Sequence, residues 1–202
     1  MLESGEGYLN RVVFLDRDGV INEDRPDYVK SWEEFRFIRG ARAALKKLRL
    51  AGIPVVVITN QSVIGRGLVS EEGLAAIHEK MIREIRRAGG DIQKIYFCPH
   101  RPEDRCACRK PRIGLLKKAA REMNLDLTKC LFVGDSLKDI QAGNRAGCPT
   151  LLVQTGQGKE TLRKMLSGET TIKPFWVCPD LPAAVPVIIN LMEKASARPV
   201  KG

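Results

Sequence analysis

Apolar residues along this chain fall into two alternating rhythms. Val12-Val13-Phe14-Leu15 is a short continuous apolar run that stops at a polar turn, the pattern of a strand buried on both faces. Residues 41–50 carry apolar side chains at helical spacing, with Gly52 behind them as a stop. The β-branched run 54–58 ends at Thr59 and predicts a second strand. Ser70 can cap a helix reaching about Ala88, closed by Gly89-Gly90. A short strand at 95–97, a loop over 98–111 and a helix over 115–123 follow. A strand at 130–133, a helix at 138–146 ahead of Gly147 and a strand at 150–153 continue the alternation. A helix at 160–166, a strand at 176–178 and a helix at 183–193 complete it.

Strands alternating with helices predict an α/β chain: a Rossmann-like three-layer sandwich with a mainly parallel sheet. No internal repeat or linker is visible, so 11–194 reads as a single domain between tails at 1–10 and 195–202. In such sheets ligands bind beyond the carboxyl ends of the strands, where the strand order reverses. Asp16, Thr59 and Asp135 follow the first, second and fourth strands at those places.

Composition changes this picture little. The chain has 202 residues, 44% hydrophobic and only 5% aromatic, which suits an aliphatic core. No apolar run approaches the roughly 20 residues of a membrane-spanning helix. The first ten residues lack a signal peptide's basic start and apolar stretch, so a cytoplasmic location is expected. The net charge of +10 fits an anionic partner, but the basic residues are scattered, as in Lys46-Lys47, Arg86-Arg87 and Lys117-Lys118. A solvated basic surface is the first reading and a nucleic-acid face the second. Cys130, Cys148 and Cys178 stand alone in apolar surroundings and read as reduced core residues. Trp32 and Trp176 read as packing residues. His78 is expected to be exposed on its helix, with no role.

The chemistry starts at Asp16-Arg17-Asp18-Gly19-Val20. Carboxylates at i and i+2 can point to one side. One can attack phosphorus, and the other can protonate the leaving oxygen and then activate water. Gly19 permits the sharp turn. An anion attacking an anion needs positive charge, which Mg²⁺ supplies through oxygen ligands. Asp135 is the natural second carboxylate ligand, Lys110 a fixed cation, and Thr59 with the backbone near Asn60 a set of neutral donors. Cys98, His100, Cys106 and Cys108 form a three-thiolate, one-imidazole set with no open position, the donor set of a structural Zn²⁺.

Asp16-x-Asp18-Gly-Val, Thr59, Lys110 and Gly134-Asp135-x-x-x-Asp139 resemble, in order, the four motifs of the haloacid dehalogenase superfamily of phosphatases. That resemblance implies Asp16 as nucleophile and Asp18 as general acid/base, with Thr59 and Lys110 holding the phosphoryl group. It implies Mg²⁺ on the carboxylates of Asp16 and Asp135 and the main-chain carbonyl of Asp18, and Asp139 orienting Lys110 or a metal-bound water. The spacing between motifs leaves no room for a separate cap domain. The cysteine loop just ahead of Lys110 resembles the histidinol-phosphate and heptose-bisphosphate phosphatase branch.

Within that branch, Arg109-Lys110-Pro111-Arg112-Ile113-Gly114, Thr59-Asn60-Gln61-Ser62 before Gly65-Arg66-Gly67, and Thr155-Gly156 look like the heptose form. Val63 stands where that form usually has glycine. The implied substrate is a phosphorylated sugar, D-glycero-D-manno-heptose 1,7-bisphosphate, cleaved at the 7-phosphate. Arg109 would meet the distal phosphate. Asp24, Arg25, Asp27, Tyr28, Asn60, Gln61, Ser62 and Ser136 would contribute the remaining substrate contacts. The rival readings are a histidinol-phosphate phosphatase, a nucleic-acid 3′-phosphatase and a non-catalytic zinc module. A monomer without membrane or nucleic-acid partners is expected.

Overall fold

Six strands apolar on both faces need cover on both sides, and six helices supply it. The computed structural model describes residues 11–196; the expected N-terminal tail and residues 197–202 lie outside the described residues. The strands are β1 (Val13–Leu15), β2 (Val55–Asn60), β3 (Lys94–Cys98), β4 (Leu131–Gly134), β5 (Thr150–Val153) and β6 (Trp176–Cys178). The helices are α1 (Ala41–Leu50), α2 (Glu71–Arg87), α3 (Gly114–Met123), α4 (Leu137–Ala146), α5 (Gly158–Leu166) and α6 (Leu181–Ser196). Every pairing is parallel, in the order β3-β2-β1-β4-β5-β6. The order reverses between β1 and β4, so a crevice opens beyond their carboxyl ends.

The two-residue period of the strands sorts the core into layers. Val13, Leu15, Val57 and Val133 face α1, α2 and α6, packing with Leu45, Met81 and Ile188. Phe14, Val56, Ile58 and Phe132 point the other way, against Leu116 and Ala119 of α3 and Ala142 of α4. The Phe14 and Phe132 rings meet edge to face at 6.3 Å. Ile140, Leu152 and Met165 join α4, β5 and α5 in a smaller cluster. The alternating elements therefore form the expected three-layer sandwich, with no cap domain among the described residues. Between β1 and α1 the chain takes a long connection over 16–40, part of which packs around Trp32, Phe35 and Phe37, with Trp32 and Phe35 stacked at 5.0 Å.

Differences from the sequence reading are local. The helix expected at 183–193 begins at Leu181, because the Asp180 carboxylate accepts the Ala183 amide at 2.8 Å. Its other end runs to Ser196, past the expected domain limit at 194. The expectation for His78 is overturned: it lies on the same stripe of α2 as Leu74, Ile77, Met81 and Ile85, and is buried with them. Its place four residues after Leu74 and three before Met81 carried that signal. Cys130, Cys148 and Cys178 are buried free thiols, as expected.

Candidate active site

Three strand ends deliver the reactive groups to the crevice. The register that sets Leu15 between Val57 and Val133 carries Asp16 past the sheet, and its amide bonds the Val133 carbonyl at 3.0 Å. Lys110 arrives from the loop before α3, and its ammonium lies 2.9 Å from Asp16 Oδ1 and 2.6 Å from Asp139 Oδ1. It also donates to the Ile58 carbonyl at 2.8 Å. Burial opposes the charge on Lys110, but the Asp139 and Asp16 carboxylates overcome that and hold its pKa above the ordinary range. Asp139 also accepts from the Ser136 amide and hydroxyl at 3.0 and 2.6 Å, closing the first turn of α4. Asp139 is thus paired with Lys110 and with the first turn of α4 at once.

Asp135 follows β4 and is buried against backbone. An added Cβ at Gly19 or at Gly156, both with positive φ, would overlap its Oδ2. That oxygen accepts the Gln157 amide at 2.7 Å. Burial, then the charges of Asp139 and Asp16, raise the Asp135 pKa well above the usual carboxylate range. Burial likewise pushes Asp16 up to about 7, against the pull of Lys110.

Asp16, Asp135 and Asp139 bring carboxylate oxygens within 4.8 Å of one another. When all three are ionised, they leave two negative charges that the Lys110 ammonium does not offset, a count one divalent cation would balance. Each of the three also has protein partners: Asp16 has Lys110 and the Arg17 amide, Asp135 the Gln157 amide, and Asp139 both Lys110 and Ser136.

Asp18 sits in a different environment. Arg17 Nη2 reaches its two oxygens at 2.8 and 2.9 Å, Asn22 Nδ2 donates at 2.8 Å and Gln61 Nε2 at 2.7 Å. Burial acts to raise its pKa, but the Arg17 charge and these hydrogen bonds outweigh it and leave the carboxyl below its usual range. Gln61 Nε2 also donates to Thr59 Oγ1 at 2.9 Å, tying two motifs together.

Around these groups lies a polar cleft of about 300 Å³. Its lining includes Asp24, Arg25, Tyr28, Asn60, Gln61, Ser62, Arg109 and Ser136. Expected substrate contacts also have local duties there, Gln61 among them through its bonds to Asp18 and Thr59. Asn60 exchanges hydrogen bonds with the backbone of Lys110, at 3.0 and 3.2 Å. The Ser136 hydroxyl belongs to Asp139. The structure does not bring Asp27 into the lining; its carboxylate pairs with Lys30 at 2.6 Å and with Arg25 at 3.1 Å. Val63 is fully buried and absent from the lining.

Cys98, His100, Cys106 and Cys108 also come together. Their sulfurs lie 3.2–3.5 Å apart, and His100 Nδ1 is 3.3 and 3.6 Å from Cys108 and Cys98. Zinc–sulfur bonds of about 2.3 Å give tetrahedral edges of about 3.8 Å, so the set closes, slightly contracted, around room for one ion. The His100 carbonyl accepts Arg109 Nη1 at 3.1 Å, so the same loop aims Arg109 at the cleft. Elemental analysis of protein purified without added metal should find one tightly held zinc per chain. Cys106→Ser should lower the melting temperature by roughly 5–10 °C, about 2–3 kcal/mol in a domain of this size. Zinc-free protein as stable as the parent would refute this role.

Arg17, Asn22, His78 and Gln157 escaped the sequence reading. Arg17 has no assigned place in the Asp16-x-Asp18 pattern, and Gln157 holds Asp135 through its backbone amide, which carries no residue signature.

Residues 107–184 match a family model described as HAD-hydrolase-like. A D-glycero-beta-D-manno-heptose-1,7-bisphosphate 7-phosphatase of Bordetella bronchiseptica is 43% identical over 180 residues, 89% of this chain and 98% of that protein. An enzyme of the same name from Neisseria meningitidis serogroup A is 45% identical over 152 residues, covering 75% of this chain and 81% of its own. The crystal structure of the B. bronchiseptica D,D-heptose 1,7-bisphosphate phosphatase, complexed with magnesium and phosphate, superposes with a TM-score of 0.83 at 41% identity. That superposition covers 90% of this chain and 98% of the other.

Proposed function

The chain belongs to the haloacid dehalogenase-like hydrolases, and from that premise we propose that it removes the 7-phosphate of D-glycero-D-manno-heptose 1,7-bisphosphate through an aspartyl-phosphate. The observation that carries the reading is the gathering of Asp16, Asp18, Thr59, Lys110 and Asp135 around one small polar cleft with Arg109 on its wall. The names of the relatives support the heptose substrate and favour its β anomer.

Lys110 and the Arg17 amide both contact Asp16 Oδ1, so Oδ2 is the oxygen left to attack phosphorus. Held by Asp16, Asp135 and the Asp18 carbonyl, magnesium would offset the repulsion between that carboxylate and the substrate dianion. Lys110 and Thr59 hold the phosphoryl oxygens. Asp18 in its protonated form gives a proton to the departing sugar oxygen, and its carboxylate, the form that Arg17, Asn22 and Gln61 favour, then takes one from the water that releases phosphate from Asp16. Among the aromatic side chains of the described residues, only Tyr28 lines the cleft, too little of a platform for stacked bases. A monomer in the cytoplasm completes the proposal.

Arg109 is the handle on substrate. A bisphosphate presents a second dianion away from the reacting centre, and binding it positions the first. Arg109→Ala should lower kcat/KM for the heptose bisphosphate roughly 10–100-fold, about 1.5–3 kcal/mol for a lost charged hydrogen bond. Turnover of p-nitrophenyl phosphate, which has no distal phosphate, should change far less. Equal losses on both substrates would remove Arg109 from distal recognition. Faster turnover of histidinol phosphate than of the heptose bisphosphate by the parent would overturn the substrate.

A further inference from the structure

The Arg17 guanidinium is enclosed, with only 1% of the side chain exposed. On one side it grips Asp18, through Nη2 and, at 3.3 Å, through Nε. On the other, Nη1 lies 3.2 Å from His78 Nε2. His78 is itself 7% exposed and meets the Phe97 ring edge-on at 6.1 Å. Burial, then the Arg17 charge, lower the His78 pKa to about 3, so the imidazole is neutral and Nε2 is a lone-pair acceptor. A second carboxylate there would compete with Asp18 for the cation; a neutral acceptor does not.

We infer that His78 is a positioning residue for the phosphatase reaction, acting through Arg17 to fix where the oxygens of Asp18 lie as it gives and takes its proton. A planar guanidinium anchored on Asp18 alone can pivot about that contact; anchored at both ends, it cannot. Apolar packing does not call for histidine at this place, since the neighbours on the buried stripe of α2 are Leu74, Ile77, Met81 and Ile85. His78 does not line the cleft, so its effect belongs in kcat and not in substrate affinity.

The inference rests on the phosphatase reading, and steady-state phosphate release with melting temperatures tests both. The parent, His78→Leu and His78→Gln are compared; the glutamine carbonyl can reach the position of Nε2. His78→Leu is expected to stay folded and lose about tenfold or more in kcat, a fraction of what general acid–base catalysis supplies, with KM nearly unchanged. His78→Gln is expected to recover to within about threefold of the parent. A His78→Leu enzyme within about twofold of the parent in kcat would overturn the inference, as would a folded His78→Gln enzyme as slow as the leucine variant. A parent that releases no phosphate from any phosphomonoester sinks the phosphatase reading, and this inference with it.

Discussion

Asp16→Asn is expected to take phosphate release to background, a loss on the order of 10⁴-fold or more. Asparagine keeps the shape of the side chain and an oxygen for Lys110, but it is no nucleophile and brings one negative charge fewer to the proposed magnesium site. The variant should fold as well as the parent. Burial already works against the Asp16 carboxylate, lifting its pKa to about 7, so a neutral amide relieves that penalty while losing attraction to Lys110. Phosphate release and thermal unfolding measured on one preparation make the check. Near-parent turnover by folded Asp16→Asn would end the covalent mechanism.

Lys110→Met should damage both activity and stability. The ammonium contacts two buried carboxylates and the Ile58 carbonyl, and nothing else among the described residues pairs with Asp139 as a cation. Methionine fills much of the volume but strands those charges, and breaking a buried pair from one side costs about 3–5 kcal/mol. In a domain of this size the melting temperature should drop by roughly 10 °C. Adding Asp139→Asn removes one stranded charge and keeps an oxygen for the Ser136 amide, so stability should partly return while phosphate release stays near background. Recovered activity in the double variant would show that Lys110 serves packing and not the phosphoryl group. Thermal melts and turnover of the single and double variants decide it.

The fold was largely legible because each element announces itself locally. Runs such as Val12 to Leu15 and Val55 to Ile58 are apolar throughout, and Ser70 and Gly147 mark the ends of helices through their own backbone preferences. Reactive carboxylates placed directly after strands revealed the crevice, since a parallel sheet directs the ends of its strands to one side. The cysteine loop was legible as a donor set, because thiolate and imidazole chemistry depends little on fold.

What only the tertiary structure decided is how the polar groups pair. Asn60, Gln61 and Ser136 look like free donors in the sequence, yet each is engaged, with Lys110, Asp18 and Asp139 respectively. Asp27 turns to Lys30 and Arg25 for the same reason: charged groups find the partners that folding brings near. Arg17 and His78 are 61 residues apart and meet only because α2 packs across the sheet beneath the turn after β1. Local sequence carries propensity and periodicity, which set the elements. Hydrogen-bond pairing between distant residues depends on ångström-scale positions that exist only once those elements have packed.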